Sequence, residues 1–312
     1  MNTLRAAVIG VGYLGNFHAQ KYATIKDVDL VGVVDSDPVR SAKIASTLGT
    51  ATYSNHLDLI GKVDAVSVVV PTHFHHAVAR DFLAAGVHVL IEKPITVTIA
   101  EADELIALAG EKKVVFQVGH LERFNPALVA LEDILVEPLF IESVRIAPFK
   151  PRGTDVNVVL DLMIHDIDII QHIVGSPVER IDAIGAPVFT GEEDIANARI
   201  LFANGCVANV TASRISLKSE RKMRIFQRDT YITLDFQNRK ILIAQKGEGE
   251  LFPGVPNVKV DERELGESDA LLREIESFIA AIREGKEPQV SGRDGRMALE
   301  TALKINQALG RR

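Results

Sequence analysis

One cysteine in 312 residues, Cys206, excludes an intrachain disulfide and gives no sign of an oxidising compartment. Basic residues are in the minority: 35 Lys and Arg stand against 42 Asp and Glu, a net charge of −7. That balance argues against broad nucleic-acid binding, which needs basic surface to displace counterions. The densest basic run, Arg214–Arg224, carries five Lys or Arg without interleaved aromatics and reads as a solvated strand edge. Long hydrophobic runs are also missing. The N-terminal apolar stretch is too short and too glycine-interrupted to span a bilayer, so no membrane role is expected and the cytoplasm is the default location. There is no internal repeat and no low-complexity tract. What remains is 47% apolar and 25% charged, the texture of a globular chain long enough for two domains.

The positive signals begin at Gly10-Val11-Gly12-Tyr13-Leu14-Gly15. This segment follows the apolar run Leu4–Ile9, opens a helical pattern over Leu14–Ala23, and has Asp35 twenty residues beyond its last glycine. Strand, glycine-rich loop, helix and acid in that order read as a dinucleotide site. Gly10 permits the turn out of the strand, Gly12 lets the backbone approach a pyrophosphate, and Gly15 lets the helix pack on the sheet. Tyr13 and Leu14 open the helix, whose unpaired N–H groups and positive dipole end face the phosphates. Asp35, closing the strand Leu30–Val34, can accept both ribose hydroxyls and repels a 2′-phosphate, which favours NAD over NADP. Ser36 and Arg40 stand close enough to help hold such a phosphate, so NADP stays open.

Residues 1–121 alternate β-branched runs with helical segments, the signature of a doubly wound parallel sheet in an α/β fold. The strands are expected at Leu4–Ile9, Leu30–Val34, Ala65–Val70, His88–Ile91 and Val114–Val118, with further helices at Val39–Leu48, His75–Ala85 and Ile99–Lys112. Residues 122–312 read as an α+β domain: helices near Ala127–Leu135 and Val159–Val174, then strands in succession from Ile181 to Ala244, with Phe140–Ile146 between the helices. Asn204-Gly205 is a hairpin signal. Lys246–Val258, rich in Gly and Pro, is expected to be a loop, either a flexible flap or an inert connection. Two amphipathic helices, Ala270–Arg283 and Arg293–Leu309, close the chain.

Five segments carry candidate chemistry. Glu92-Lys93-Pro94 follows a strand at the carboxyl edge of the sheet, where open α/β folds bind ligands, so Lys93 can reach a substrate oxygen beside a nicotinamide. Pro71, Thr72 and His75 end the preceding strand in the same way and would lie along the cofactor. His73, His75 and His76 sit close together, yet no cysteine or carboxylate accompanies them at ligand spacing, so no metal is expected. Asp161 and His165 are four apart, and His165 and Asp168 three apart, which on an α-helix puts all three on one face amid apolar neighbours. A histidine whose tautomer is fixed by a carboxylate is a competent general base, although Asp161 could also simply serve the helix dipole. Arg123 and Asn125, in the segment linking the halves, either bind substrate or tie the hinge. Lys150 and Arg152 could clamp a substrate phosphate or sit in a solvated loop.

The phosphate loop, Glu92-Lys93-Pro94 and Asp161-x-x-x-His165, in this order and at these distances, resemble the Gfo/Idh/MocA oxidoreductases along nearly the whole chain. The resemblance implies a Rossmann domain for NAD or NADP and a C-terminal domain whose open, mostly antiparallel sheet presents the substrate pocket and the oligomer interface of a homodimer or homotetramer. It implies that Lys93 is the active-site lysine, Asp161 the orienting aspartate and His165 the proton-transfer histidine, with Lys93 and His165 also touching substrate. Segments 120–126 and 161–168 look most like the branch that oxidises UDP-N-acetylglucosamine at its 3-hydroxyl for lipid A or surface-polysaccharide aminosugars. Inositol or other sugar dehydrogenases and imine reductases share the family. A non-catalytic nicotinamide-binding sensor is the alternative of another class.

Overall fold

The computed structural model describes residues 3–131, 134–150 and 156–310. The chain forms two compact units, one of residues up to Leu121 together with Asp269–Leu299, the other of Glu122–Ser268 together with residues from Glu300 on.

In the first unit the order is β1 (Leu4–Ile9), α1 (Tyr13–Thr24), β2 (Val28–Val34), α2 (Pro38–Leu48), β3 (Ala51–Tyr53), β4 (Ala65–Val68), α3 (His75–Ala84), β5 (His88–Glu92), α4 (Ile99–Lys112) and β6 (Phe116–Gly119). All six strands pair in parallel in the order β3-β2-β1-β4-β5-β6. Ala6, Val8, Val66, Val68, Val89 and Ile91 are buried because helices cover both faces, which is why these runs lack the alternation of a half-exposed strand. Strand order reverses between β1 and β4, and the loop Gly10–Gly15 leaves the sheet at that switch point. Thr98 and Glu101 form a reciprocal capping box on α4, and Asp37 caps α2 through Val39 and Arg40 N–H. β3 has no sequence forecast: it is a three-residue edge strand with Ala51 and Thr52 exposed, too short to show a period.

In the second unit come α5 (Pro126–Val129), β7 (Pro138–Ile146), a π turn Val159–Met163 running into α6 (Ile164–Val174), β8 (Val178–Ala186), β9 (Ile195–Phe202), β10 (Val207–Ser213), β11 (Glu220–Gln227), β12 (Thr230–Asp235), β13 (Lys240–Phe252) and β14 (Val255–Glu264). The eight strands lie in the order β14-β13-β12-β11-β7-β10-β9-β8, antiparallel except for the parallel β7–β10 pair. The helices α7 (Ala270–Glu284) and α8 (Gly292–Leu309) close the chain.

Four expectations change. Residues 269–299 belong to the first unit, not to one continuous 122–312 domain, because Leu271, Ile275, Phe278 and Ile279 of α7 enter the core that holds Leu4, Ala6, Tyr22 and Leu30. The 246–258 segment is the outer half of the β13–β14 hairpin, paired from Lys240–Glu264 to Phe252–Val255. Its signal was hidden because both faces are largely exposed and register shifts break the alternation after Lys246 and Glu250. β11 is no edge strand, being hydrogen-bonded to β12 and β7. The basic residues on and before it meet acids, Arg224 with Glu142 and Lys218 with Glu220 among them. The α5 helix is shorter than the forecast Ala127–Leu135, of which residues 132–133 lie outside the described structure. Among the described residues no helix is long and apolar enough to cross a membrane.

Candidate active site

The first unit builds a nucleotide-sized recess at its switch point. Gly10 takes φ +86°, and a Cβ there would lie 2.5 Å from the Val69 carbonyl oxygen, so no other residue fits without shifting β4. A Cβ on Gly15 would lie 1.8 Å from the Gly10 carbonyl oxygen, the contact that lets α1 sit on the loop. Gly12 differs, since its missing side chain would meet nothing within 4 Å. That open space in front of the α1 N-terminus is the cradle a pyrophosphate needs. Tyr13, the first residue of α1, is 70% exposed and packs edge-on against Phe17, with Leu14 half-buried behind it. A cavity of about 540 Å³ adjoins the loop, lined by Gly10, Gly12, Asp35, Arg40, Pro71 and Phe74 among others. The residues present therefore fit a dinucleotide.

Asp35 does more than close β2. Its Oδ2 accepts the Val11 N–H at 2.9 Å and its Oδ1 the Asp37 N–H at 2.9 Å, so this buried carboxylate ties the phosphate loop to the next helix. Arg40 Nη1 lies 3.2 and 3.3 Å from the same oxygens. A ribose here would share the carboxylate with a guanidinium, which offsets part of the repulsion toward a 2′-phosphate.

Two turns frame the carboxyl edge of β4 and β5. Pro71 and Thr72 enter the short 3₁₀ turn Thr72–Phe74. The three histidines that follow go to different partners. His73 stacks on Phe74 at 4.0 Å, His76 meets Glu104 at 2.9 Å, and His75 is buried with Nδ1 2.9 Å from the Pro94 carbonyl and Nε2 2.9 Å from that of Val70. Burial pushes the His75 pKa below the ordinary imidazole value against the pull of the two carbonyls, and the ring sits as a brace between the two turns. Lys93 is half-buried at the end of β5, followed by a cis bond to Pro94. Glu92 turns inward: its Oε1 lies 3.1 Å from His18 Nε2, and its Oε2 accepts the Lys93 N–H at 3.3 Å.

In the second unit the stretch 159–174 is helical as its apolar pattern requires, but Asp161 sits in the π turn and His165 in the first turn of α6. The α-helical face geometry therefore does not hold for that pair, since an i→i+5 turn widens the helix at this point. Both side chains remain half-buried. Single π turns of this kind recur at functional sites. Asn157 precedes the turn, and its Oδ1 accepts the Leu160 N–H at 3.2 Å.

Sequence reasoning missed what surrounds His165. Arg145 on β7 is buried and grips Asp166 through Nε at 2.7 Å and Nη2 at 3.1 Å, while Nη1 reaches Glu122 at 2.8 Å. Arg221 adds a contact to Glu122 at 3.3 Å, and Arg123 pairs with the buried Asp168 at 3.5 Å. The two carboxylates that follow His165 in α6, Asp166 and Asp168, are thus each held by an arginine. A signal existed: Ile141, Ser143 and Arg145 share one parity on β7, so the alternation that buries Ile141 also buries a guanidinium. Arg123 is accordingly taken up by an ion pair, and Asn125 caps α5 by accepting the Ala127 N–H at 3.0 Å. Lys150 is exposed, and Arg152 lies outside the described residues. Cys206 is buried, and burial pushes its thiol up to about 11, which leaves it protonated and unreactive.

Residues 4–120 match the family model described as "Oxidoreductase family, NAD-binding Rossmann fold", and residues 148–232 match the "GFO/IDH/MocA C-terminal domain". The chain is 42% identical to UDP-N-acetylglucosamine 3-dehydrogenase of Acidithiobacillus ferrooxidans, over 98% of this chain and 97% of that one. A solved structure of that enzyme has a TM-score of 0.94, covering 99% of this chain and 98% of its own. Inositol 2-dehydrogenase of Rhizobium meliloti is 25% identical over 96% of this chain and 95% of its own length. With scyllo-inositol dehydrogenase of Lactobacillus casei, solved with bound NAD(H) and scyllo-inositol, the likeness is one of fold, at TM-score 0.83 and 22% identity over 99% and 97% of the two chains. A cradle shaped for a dinucleotide and a full-length match of this kind lead to one conclusion: the chain belongs to the Gfo/Idh/MocA family and is a nicotinamide-dependent oxidoreductase.

Proposed function

We propose that this enzyme oxidises the 3-hydroxyl of UDP-N-acetylglucosamine with NAD, supplying aminosugars for lipid A or surface polysaccharide. The observation that carries the substrate is the full-length likeness to a UDP-N-acetylglucosamine 3-dehydrogenase, at 42% identity against 25% for the inositol enzyme. His165, oriented by Asp161, takes the hydroxyl proton. Lys93 donates a hydrogen bond to the same oxygen as it becomes a carbonyl. The nicotinamide, when bound, supplies the hydride acceptor. Gly10, Gly12, Tyr13, Leu14 and Gly15 hold the phosphates, Asp35 the ribose, and Pro71 and Thr72 flank the cofactor, while His75 and Glu92 shape its site from behind. Arg123 and Asn125 serve by bracing the segment before β7, and Arg152 is assigned to the substrate phosphates. NAD is favoured by the Asp35 carboxylate, with NADP the alternative that Arg40 leaves in play. A cytoplasmic setting fits the cysteine usage. A homodimer or homotetramer fits the aromatic row Phe140, Phe226 and Tyr231, with ring centroids 5.6 and 4.9 Å apart on the sheet face opposite Ile141, Ile225 and Ile232.

The test is a panel of nucleotide sugars and free polyols scored by NADH absorbance. UDP-N-acetylglucosamine should turn over and inositols should not, while His165→Ala should lower kcat by roughly 10²–10⁴ with cofactor affinity preserved. Turnover of an inositol alone would move the assignment within the family. Cofactor binding with no turnover on any member of the panel would point to a nicotinamide sensor.

A further inference from the structure

The first unit buries a chain of polar side chains beneath the Lys93 turn. The Tyr22 hydroxyl lies 3.0 Å from Ser67 Oγ, Ser67 Oγ lies 3.1 Å from His18 Nδ1, and His18 Nε2 lies 3.1 Å from Glu92 Oε1. Glu92 then accepts the Lys93 N–H through its other oxygen. Glu274, brought in by α7 from the far end of the sequence, is fully buried, and one of its oxygens lies within 4.8 Å of both a His18 nitrogen and a Glu92 oxygen. Among the described residues neither Glu274 oxygen has a hydrogen-bond partner.

A carboxylate in that position would be a buried charge without a donor, set beside a second carboxylate, an arrangement folded proteins avoid. A carboxylic acid resolves both problems, because it carries no charge and its O–H can turn to the Glu92 carboxylate, an oxygen of which lies within 4.8 Å. Each donor of the chain then has an acceptor. Tyr22 donates to Ser67, Ser67 to His18 Nδ1, and His18 Nε2–H, Lys93 N–H and Glu274 O–H all donate to Glu92.

We propose that Glu274 is a neutral acid whose proton is donated to Glu92, and that this carboxyl–carboxylate pair makes Glu274 a positioning residue for the Glu92-Lys93-Pro94 turn. The positioning role rests on the assignment of Lys93 to the reaction made above; the shared proton does not. The titratable groups facing Glu274 are His18 and Tyr22 from α1 and Glu92 from β5, with the uncharged Ser67 of β4 and Gln117 of β6 beside them. Gln117 Nε2 donates to the Glu274 backbone carbonyl at 3.1 Å. Burial, and then the Glu92 charge, push the Glu274 carboxyl well above the usual carboxylate range, in the direction the geometry requires. The same three side chains are a poorer fit for a metal ion, since both His18 nitrogens are already engaged.

The experiment uses the full chain and its Glu274→Gln and Glu274→Leu variants. Infrared spectroscopy at neutral pH should show the carbonyl stretch of a buried protonated carboxyl in the parent and not in either variant. A raised folded-state pKa means that Glu274 contributes stability below its unfolded pKa and loses it as pH rises. The urea midpoint of the parent should therefore fall relative to Glu274→Gln as pH rises above the unfolded carboxyl value of about 4.3. Glu274→Gln keeps an N–H donor and should keep kcat within roughly threefold, whereas Glu274→Leu should lose about tenfold or more with cofactor affinity unchanged. Absence of the protonated-carboxyl band, or a metal ion that co-purifies stoichiometrically with the parent and not with Glu274→Gln, overturns the shared proton. The band together with full kcat in Glu274→Leu overturns the positioning role. A wrong assignment of Lys93 itself shows separately, as undiminished turnover in Lys93→Met.

Discussion

Arg145 shows how much of this protein's local order depends on one buried cation. Its guanidinium satisfies Asp166 and Glu122 at once, with hydrogen bonds between 2.7 and 3.1 Å. Removing it strips the buried Asp166 of its cation and leaves Glu122 with the longer Arg221 contact alone among cations. Arg145→Met should therefore cost about 3–5 kcal/mol, read from the urea midpoint, where an exposed pair such as Arg180–Asp182 would cost well under about 1. The pH dependence has a definite sign. Burial alone would raise the Glu122 pKa, but the charge and hydrogen bond of Arg145 overcome it and hold the carboxyl below its usual range. Its contribution to stability is thus full above the unfolded pKa of about 4.3 and is lost as the solution is acidified through the lower folded value. Between about pH 6 and pH 3 the urea midpoint of the parent should fall more steeply than that of Glu122→Gln, and parallel curves would show that Glu122 titrates alike in both states.

Among elements, the β13–β14 hairpin separates what is stable from what is necessary. Leu251, Phe252, Val255, Val258 and Val260 are exposed on it, so its outer half rests on ladder hydrogen bonds rather than on a core. Gly254 turns it with φ +81°, a conformation a β-branched residue resists. Gly254→Val should speed amide exchange across 246–260 by an amount matching about 1–3 kcal/mol of local strain, and leave turnover intact. A global loss of protection would show instead that the hairpin is part of the cooperative fold. The helices were easier to anticipate. Thr98 with Glu101, and Asp37 ahead of Pro38, are local capping chemistry, and their elements begin where those residues place them. The π turn at Val159–Met163 carries no such mark, because apolar spacing over so few residues does not separate i→i+4 from i→i+5 bonding.

For the whole molecule, the cofactor should act as a stabilising ligand. With one site and no binding to the unfolded chain, NAD at about 100 times its Kd adds roughly 2.7 kcal/mol, read as a rise in the thermal midpoint. NADP at the same concentration should give a smaller rise. Asp35→Ala should shrink the gap between them, since Arg40 then faces the ribose without its paired carboxylate. Equal rises for both cofactors in the parent would place the discrimination elsewhere than Asp35.

The sequence by itself determined the parallel sheet, the phosphate loop and the family. Each is written in local terms: glycines fixed by backbone approach, β-branched runs buried on both faces, and three short motifs in order. It also contained Arg145, Glu122 and Glu274, but not their meaning. Glu274 is 182 residues beyond Glu92 and reads as one acid in an amphipathic helix until α7 returns to the first core and encloses it. Only the tertiary structure decided which charges lose their water, and a charge without water must find a partner or give up its ionisation.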